Sequence, residues 1–320
     1  MKNVLRMTLG VLLATSFATA LAAQAPKTAP AQKSSAPAAG AFNSSRSWED
    51  LKAMAAMGPR PAGSAELRKT RAYITRQLAA VGLKVEEQPF VADTPIGKVD
   101  MVNLIVRLPG KRPEKILFTG HYDTKPMRNT FFVGASDGAS SAAMLLELAR
   151  TLKDRPREFT YEFVWLDGEE AFCLGWDDCG KPGSPDNTYG SRFYVQAAQK
   201  AGITKTLRAN VLVDMIGAKD LRLHRETKST VWLTDIIWAT AKRLGHGSVF
   251  ADKRDEVEDD HFPFLEAGIP STDLIDLMTY PYWHNQVCCD DLTQVEERSL
   301  KIVGDVIVAA VPDIEKYLLK

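Results

Sequence analysis

The stretch Lys115-Ile116-Leu117-Phe118-Thr119-Gly120-His121-Tyr122-Asp123 decides the fold class. Residues 115–119 read as a short apolar strand, and the polar residues after them fall where a strand gives way to a loop. A run of small residues, 134–141, then opens a helix that reaches about residue 153. Residues 159–166 are the next apolar strand, ending in Asp167-Gly168-Glu169-Glu170. Strand, helix and strand again, with polar side chains clustered past each strand, is the repeating unit of a layered α/β sheet.

Working outward, residues 47–56 and 64–81 carry helical spacing, and Leu67, Ala72, Ile74, Leu78 and Ala79 can share one face. Residues 84–91 and 99–108 read as strands separated by the breakers Thr94-Pro95-Ile96-Gly97. Further strands are expected at 210–215 and 272–275, and helices at 231–244, 262–267 and 296–318. The expected fold is a single-domain α/β sandwich whose central mixed, mostly parallel sheet has helices on both faces. Its first strands are joined as a hairpin, and no internal repeat is visible.

The proportions are globular, with 45% hydrophobic and 25% charged residues. Forty basic residues balance forty acidic ones, which removes the electrostatic footprint of a nucleic-acid binder. At the amino end, Lys2 and Arg6 precede an uncharged run over residues 7–23 that closes in Ala20-Leu21-Ala22. That order predicts a secretory signal peptide over residues 1–22 and export to the periplasm or medium. Cleavage deletes two positive charges, taking the formal net charge from zero to −2. No later stretch is long and apolar enough to span a bilayer. Residues 23–43 are rich in Ala, Pro and Ser and are expected to be a flexible linker, with the catalytic domain over 44–320. A monomer is expected.

In an oxidising compartment Cys173, Cys179, Cys288 and Cys289 can form disulfides, and three pairings are open. The spacing lacks the paired close clusters of a four-cysteine zinc site.

His121, Asp123, Asp167, Glu169, Glu170 and Asp214 all follow predicted strands, on the edge where open α/β sheets bind ligands. Asp137 lies near a helix start, where it could simply be a cap, and His284 follows the last strand. Carboxylates gathered in this way repel and are costly to desolvate unless a cation neutralises them. Imidazole and carboxylate donors without thiolate suit zinc in an open catalytic site. In the doubled Glu169-Glu170, one side chain can bind metal while the other stays free for acid–base work.

The segments Gly120-His121-Tyr122-Asp123-Thr124-Lys125, Gly134-Ala135-Ser136-Asp137, Asp167-Gly168-Glu169-Glu170-Ala171-Phe172, Tyr189-Gly190-Ser191-Arg192 and Asp214-Met215-Ile216-Gly217-Ala218 resemble the zinc-dependent M28 peptidase superfamily. Glu258-Asp259-Asp260-His261-Phe262-Pro263-Phe264-Leu265 and Trp283-His284 resemble its glutaminyl-peptide cyclotransferase branch. The likeness runs in order through about residues 45–318. It implies a phosphorylase/hydrolase-like fold and a single zinc held by Asp137, Glu170 and His284. It further implies Glu169 as acid–base residue, Asp214 and Asp259 as a supporting proton network, and Trp176 and Trp283 as pocket walls. Peptide or protein N-termini would be the substrates.

The sequence departs from the animal cyclases where Asp273 stands in place of a last-strand histidine, and in the loop carrying Cys173, Trp176 and Cys179. A two-zinc aminopeptidase uses the same list, with His121 and Asp214 holding a second metal and Glu169 activating water. A non-catalytic peptide-binding module is the third possibility, disfavoured by the intact ligand set. His224 and His246 are expected at the surface, and His261 within a hydrogen-bonded acidic segment. Lys125 and Arg128 are expected to steer a peptide carboxylate or be solvated, and Arg192, beside a Tyr189-Gly190 turn, to pair with a carboxylate.

Overall fold

The computed structural model describes residues 41–181, 183–285 and 289–320. The expected signal peptide over 1–22, most of the expected linker, and Cys288 lie outside the described residues. Six strands form the main sheet: β1 (Val85–Thr94), β2 (Gly97–Leu108), β3 (Arg112–His121), β4 (Phe159–Leu166), β5 (Leu207–Asp214) and, last in the chain, β8 (Ser271–Ile275). Their order is β1-β2-β4-β3-β5-β8. The β4–β3–β5–β8 run is parallel, whereas β1 pairs with β2, and β2 with β4, antiparallel. The sheet is therefore mixed and mostly parallel, with its parallel strand ends on one edge.

Alternation along β3 explains the layers. Ile116 and Phe118 point into a core with α1 (Ser44–Ala55), α3 (Ala139–Leu152) and α7 (Glu297–Leu318), while Leu117 points to α4 (Tyr189–Lys200) and α6 (His261–Glu266) on the opposite face. In β4, Phe163 and Trp165 follow the first face and Val164 and Leu166 the second. Each such fully buried large side chain contributes about 1.5–3 kcal/mol. Trp165 satisfies its indole N–H on the Ala142 carbonyl at 3.0 Å. The remaining helices are α2 (Ala65–Ala79) and α5 (Val231–Arg243). Helix α2 begins at Ser64, whose hydroxyl accepts from the Leu67 amide at 3.0 Å.

The chain differs from expectation in three places. The folded body starts before residue 44: Phe42 is buried against Gly304, whose lack of a side chain makes room for the ring, and Asn43 caps α1. Residues 189–200 form α4 rather than a turn; its preceding residue, Thr188, is left-handed (φ 49°) and makes no side-chain cap, so the usual start signal is missing. A second sheet pairs β6 (Leu223–Glu226) with β7 (Phe250–Asp255) in parallel. Those strands are short and largely polar, and give no alternating pattern. Among the described residues no helix is long and apolar enough to cross a membrane.

Candidate active site

The strand ends converge. His121 closes β3, and its Nε2 lies 2.9 Å from Asp214 Oδ1 at the end of β5 and 3.2 Å from Asp137 Oδ1. Asp137 does not cap α3; the N-cap is Gly138, without a side-chain bond. Gly138 has φ 92°, and a Cβ there would stand 2.3 Å from the Asp123 carbonyl, so this approach to α3 demands glycine. The Asp137 carboxylate is thereby left to face His121 and, 3.2 Å from its Oδ2, His284 Nε2. His284 Nε2 is also 3.0 Å from Glu170 Oε1. Two buried carboxylates pin this framework through backbone amides. Asp123 accepts from Glu169 and Glu170 at 3.2 and 3.3 Å, and Asp290 accepts from Ser136 and, at 2.8 Å, from Asp137.

Asp137, Glu170 and His284 each offer a ligand atom within 4.8 Å of the other two. Glu170 Oε2 is buried without a hydrogen-bond partner, and Asp137 Oδ2 has only the His284 Nε2 contact, which is not aligned as a hydrogen bond. Burial opposes a charge on His284, yet Glu170 and Asp137 hold its pKa up to about 9, so the carboxylates favour positive charge at this point. Orphaned oxygens and an imidazole converging on one place fit a divalent cation with an open coordination position. His121, Asp137 and Asp214 make a neighbouring group that meets the same distance limit. His284 and Met215, which follows Asp214, hold left-handed φ values of 45° and 49°. Such strain costs on the order of 1–3 kcal/mol and gathers at functional sites.

A cavity of about 270 Å³ is lined by Asp137, Glu169, Glu170, Trp176, Asp214, Asp259, Trp283 and His284 together. Burial pushes the Glu169 carboxyl well above the usual range; His121 opposes this, while Glu170 and Asp259 add to it. Burial, then Asp214 and Asp260, does the same to Asp259. The Trp283 ring stacks on His284 with centroids 4.3 Å apart, and Phe132 meets the His284 ring edge-on at 5.8 Å. Trp176 reaches the cavity from a loop closed by the Cys173–Cys179 disulfide. Of the pairings left open by sequence, this one forms.

Several residues have other duties. Asp167 accepts from the Val102 amide and the Tyr122 hydroxyl and does not line the cavity. Lys125 is buried rather than solvated, its ammonium donating to the Ala171 carbonyl at 2.8 Å. Among the described residues Arg192 meets no carboxylate in hydrogen-bond range; it donates to the Pro185 and Asn187 carbonyls and packs over the Tyr189 ring. His224 is half-buried in β6 and paired with Asp255, so it is not a free surface group, while His246 is half-buried. Asp290, which accepts from backbone amides and from the Tyr280 hydroxyl, was not foreseen, because contacts of this kind leave no spacing signal.

The model of Peptidase family M28 matches residues 103–311, and the chain belongs to that family. Within it, the glutaminyl-peptide cyclotransferase-like protein of Bos taurus is 30% identical over 253 residues, covering 71% of this chain. The chain spans about 64% of the length of that curated relative. A crystal structure of the glutaminyl cyclase from an Acidobacteriales bacterium is 34% identical and has a TM-score of 0.79, covering 91% of this chain and all of that one (100%). The leucine aminopeptidase precursor of Bacteroides thetaiotaomicron, 24% identical with a TM-score of 0.77 over 85% of this chain and 97% of its own, shares the fold.

Proposed function

We propose that the chain is a glutaminyl-peptide cyclotransferase, converting N-terminal glutaminyl residues of peptides or proteins to pyroglutamyl residues with release of ammonia. We assign a single zinc ion to Asp137, Glu170 and His284. The observation that carries the proposal is one cavity presenting three metal donors, an adjacent Glu169 and two tryptophans. The similarity to the Acidobacteriales glutaminyl cyclase supports it.

Zinc bound there would act as a Lewis acid on the side-chain amide carbonyl of the substrate. Glu169, outside the donor set, takes one proton from the attacking α-amine. A bond forms between the α-nitrogen and the amide carbon, the bond to the side-chain nitrogen breaks, and Glu169 returns the proton so that ammonia leaves. Burial pushes its pKa up from the usual carboxylate range, the direction that favours a group taking up a proton before returning it. Asp259 and Asp214 maintain the charge balance beside it. Both reacting groups belong to one residue, so Trp176 and Trp283 serve mainly to hold the folded-back conformer and keep water out.

The folded body from about residue 42 to 320 would thus be the catalytic unit, exported after removal of residues 1–22; the Cys173–Cys179 bridge suits an oxidising compartment. The deciding experiment incubates the purified chain with a glutaminyl dipeptide and with an otherwise equal leucyl dipeptide. Pyroglutamyl product from the first, with the second untouched, is expected. Free amino acids from either would instead assign the two-metal aminopeptidase reaction, with His121 and Asp214 as additional ligands.

A further inference from the structure

We propose that Asp259, His261 and Asp273 form a second, fully buried cation site, separate from Asp137, Glu170 and His284 and suited to a small divalent ion of the zinc class. Asp259 stands two residues before His261, the first residue of α6, and Asp273 is the middle residue of β8. All three are buried, His261 and Asp273 completely, and each offers a ligand atom within 4.8 Å of the others. His261 Nε2 lies 3.0 Å from Glu226 Oε2. A carboxylate oxygen can only accept, so Nε2 carries the proton and Nδ1 presents its lone pair inward.

That lone pair faces Asp273 Oδ2 at 3.7 Å. His261 Nδ1, Asp259 Oδ2 and both oxygens of Asp273 are buried without any hydrogen-bond partner. Acceptors left facing one another in a dry interior repel, and each costs desolvation energy. A bound cation relieves every one of them. Zinc ligands at about 2.0–2.2 Å in a tetrahedral arrangement stand roughly 3.3–3.6 Å apart, near the 3.7 Å between His261 Nδ1 and Asp273 Oδ2, with all three donors within 4.8 Å of one another. Glu226 completes the carboxylate–imidazole relay that orients metal-bound histidines. Its own oxygens are fixed by the Lys228 amide at 2.8 Å and the Ser229 amide at 2.6 Å. The ion would tie α6 to β8 and so position Asp259, which also lines the catalytic cavity. The inference does not rest on the proposed cyclase reaction.

The test dialyses the full chain against zinc, removes excess, and counts bound metal by mass spectrometry. Two ions per chain are expected in the wild type. Asp273→Asn, with its fold checked by circular dichroism, should hold one, while His121→Ala should keep two. Because Asp273→Asn could disturb folding, crystals of the wild type grown with zinc supply an independent readout: an anomalous peak at the zinc edge beside His261 Nδ1. A single ion in the wild type without that peak overturns the proposal, leaving a proton shared by Asp259 and Asp273 as the compensating charge. Two ions retained in Asp273→Asn, or the second lost in His121→Ala, overturns it as well. None of these readouts uses dipeptide turnover, so the site and the cyclase activity stand or fall separately.

Discussion

Glu169 and Glu170 are adjacent, of one residue type and both buried, yet their surroundings give them different work. Glu170 meets the His284 imidazole at 3.0 Å, whereas Glu169 faces His121 and the Asp259 side of the cavity. Glu169→Gln should therefore lower turnover of a glutaminyl dipeptide by about 10²–10⁴-fold with bound zinc unchanged. His284→Ala should lose the zinc held with Asp137 and Glu170, one ion fewer per chain, and with it turnover. Full activity in the first variant removes Glu169 from the acid–base role. Asp290 acts one step further back, through the amides of Ser136 and Asp137. Asp290→Asn is expected to weaken zinc affinity by about 10–100-fold in a chelator titration while the protein stays folded. Unchanged affinity would mean that the loop holds Asp137 without it.

At the scale of elements, the two decisive connections are the turn into α3 and the loop over residues 171–179. Gly138 admits the chain past Asp123 into α3, and Gly138→Ala adds both a clash and a left-handed alanine. A loss of at least 1–3 kcal/mol in urea unfolding is the order of magnitude expected. The loop is closed by Cys173–Cys179 and tied down where Asp186 accepts from the Cys173 amide at 2.9 Å. With both cysteines changed to serine, Trp176 should wander, and KM should rise several-fold, more than kcat falls. An equal fall in kcat at constant KM would place Trp176 in transition-state stabilisation instead. Elements were legible where periodicity was strong: residues 159–166 were read as a strand and form β4. They were illegible where a helix lacks its cap, as in α4, or where strands are polar, as in β6 and β7.

The whole molecule concentrates buried carboxylates under one sheet edge, and this sets its response to pH. Burial raises Asp260 to about 7 and lifts Asp259 and Asp273 well above their usual values, against about 3.9 for an unfolded aspartate. His284, raised to about 9, acts in the same direction; against these stand Asp137 and Glu226, held low beside histidines despite burial, and Glu162, held low by Lys115 and Arg107 despite burial, fewer than the groups that are raised. The folded state thus binds more protons than the unfolded one between about pH 4 and 9, so this stabilisation is complete in acid and lost as pH rises. Zinc-stripped protein should melt at a lower temperature at pH 8 than at pH 5, and added zinc should restore stability at pH 8. A melting temperature that climbs with pH in stripped protein contradicts this balance. By itself the sequence determined the layered α/β class and the strand edge on which the polar residues gather, because local periodicity and residue chemistry are written in order along the chain; Trp176, Asp259 and Trp283, which also line the cavity, were legible only through the family resemblance. Tertiary structure alone decided that Asp137 faces two imidazoles instead of capping α3, that Asp167 and Lys125 turn away from the cavity, and that His261 meets Glu226 and Asp273. Those outcomes depend on which backbone and side-chain groups arrive from distant strands, a matter of packing and desolvation that no local pattern encodes.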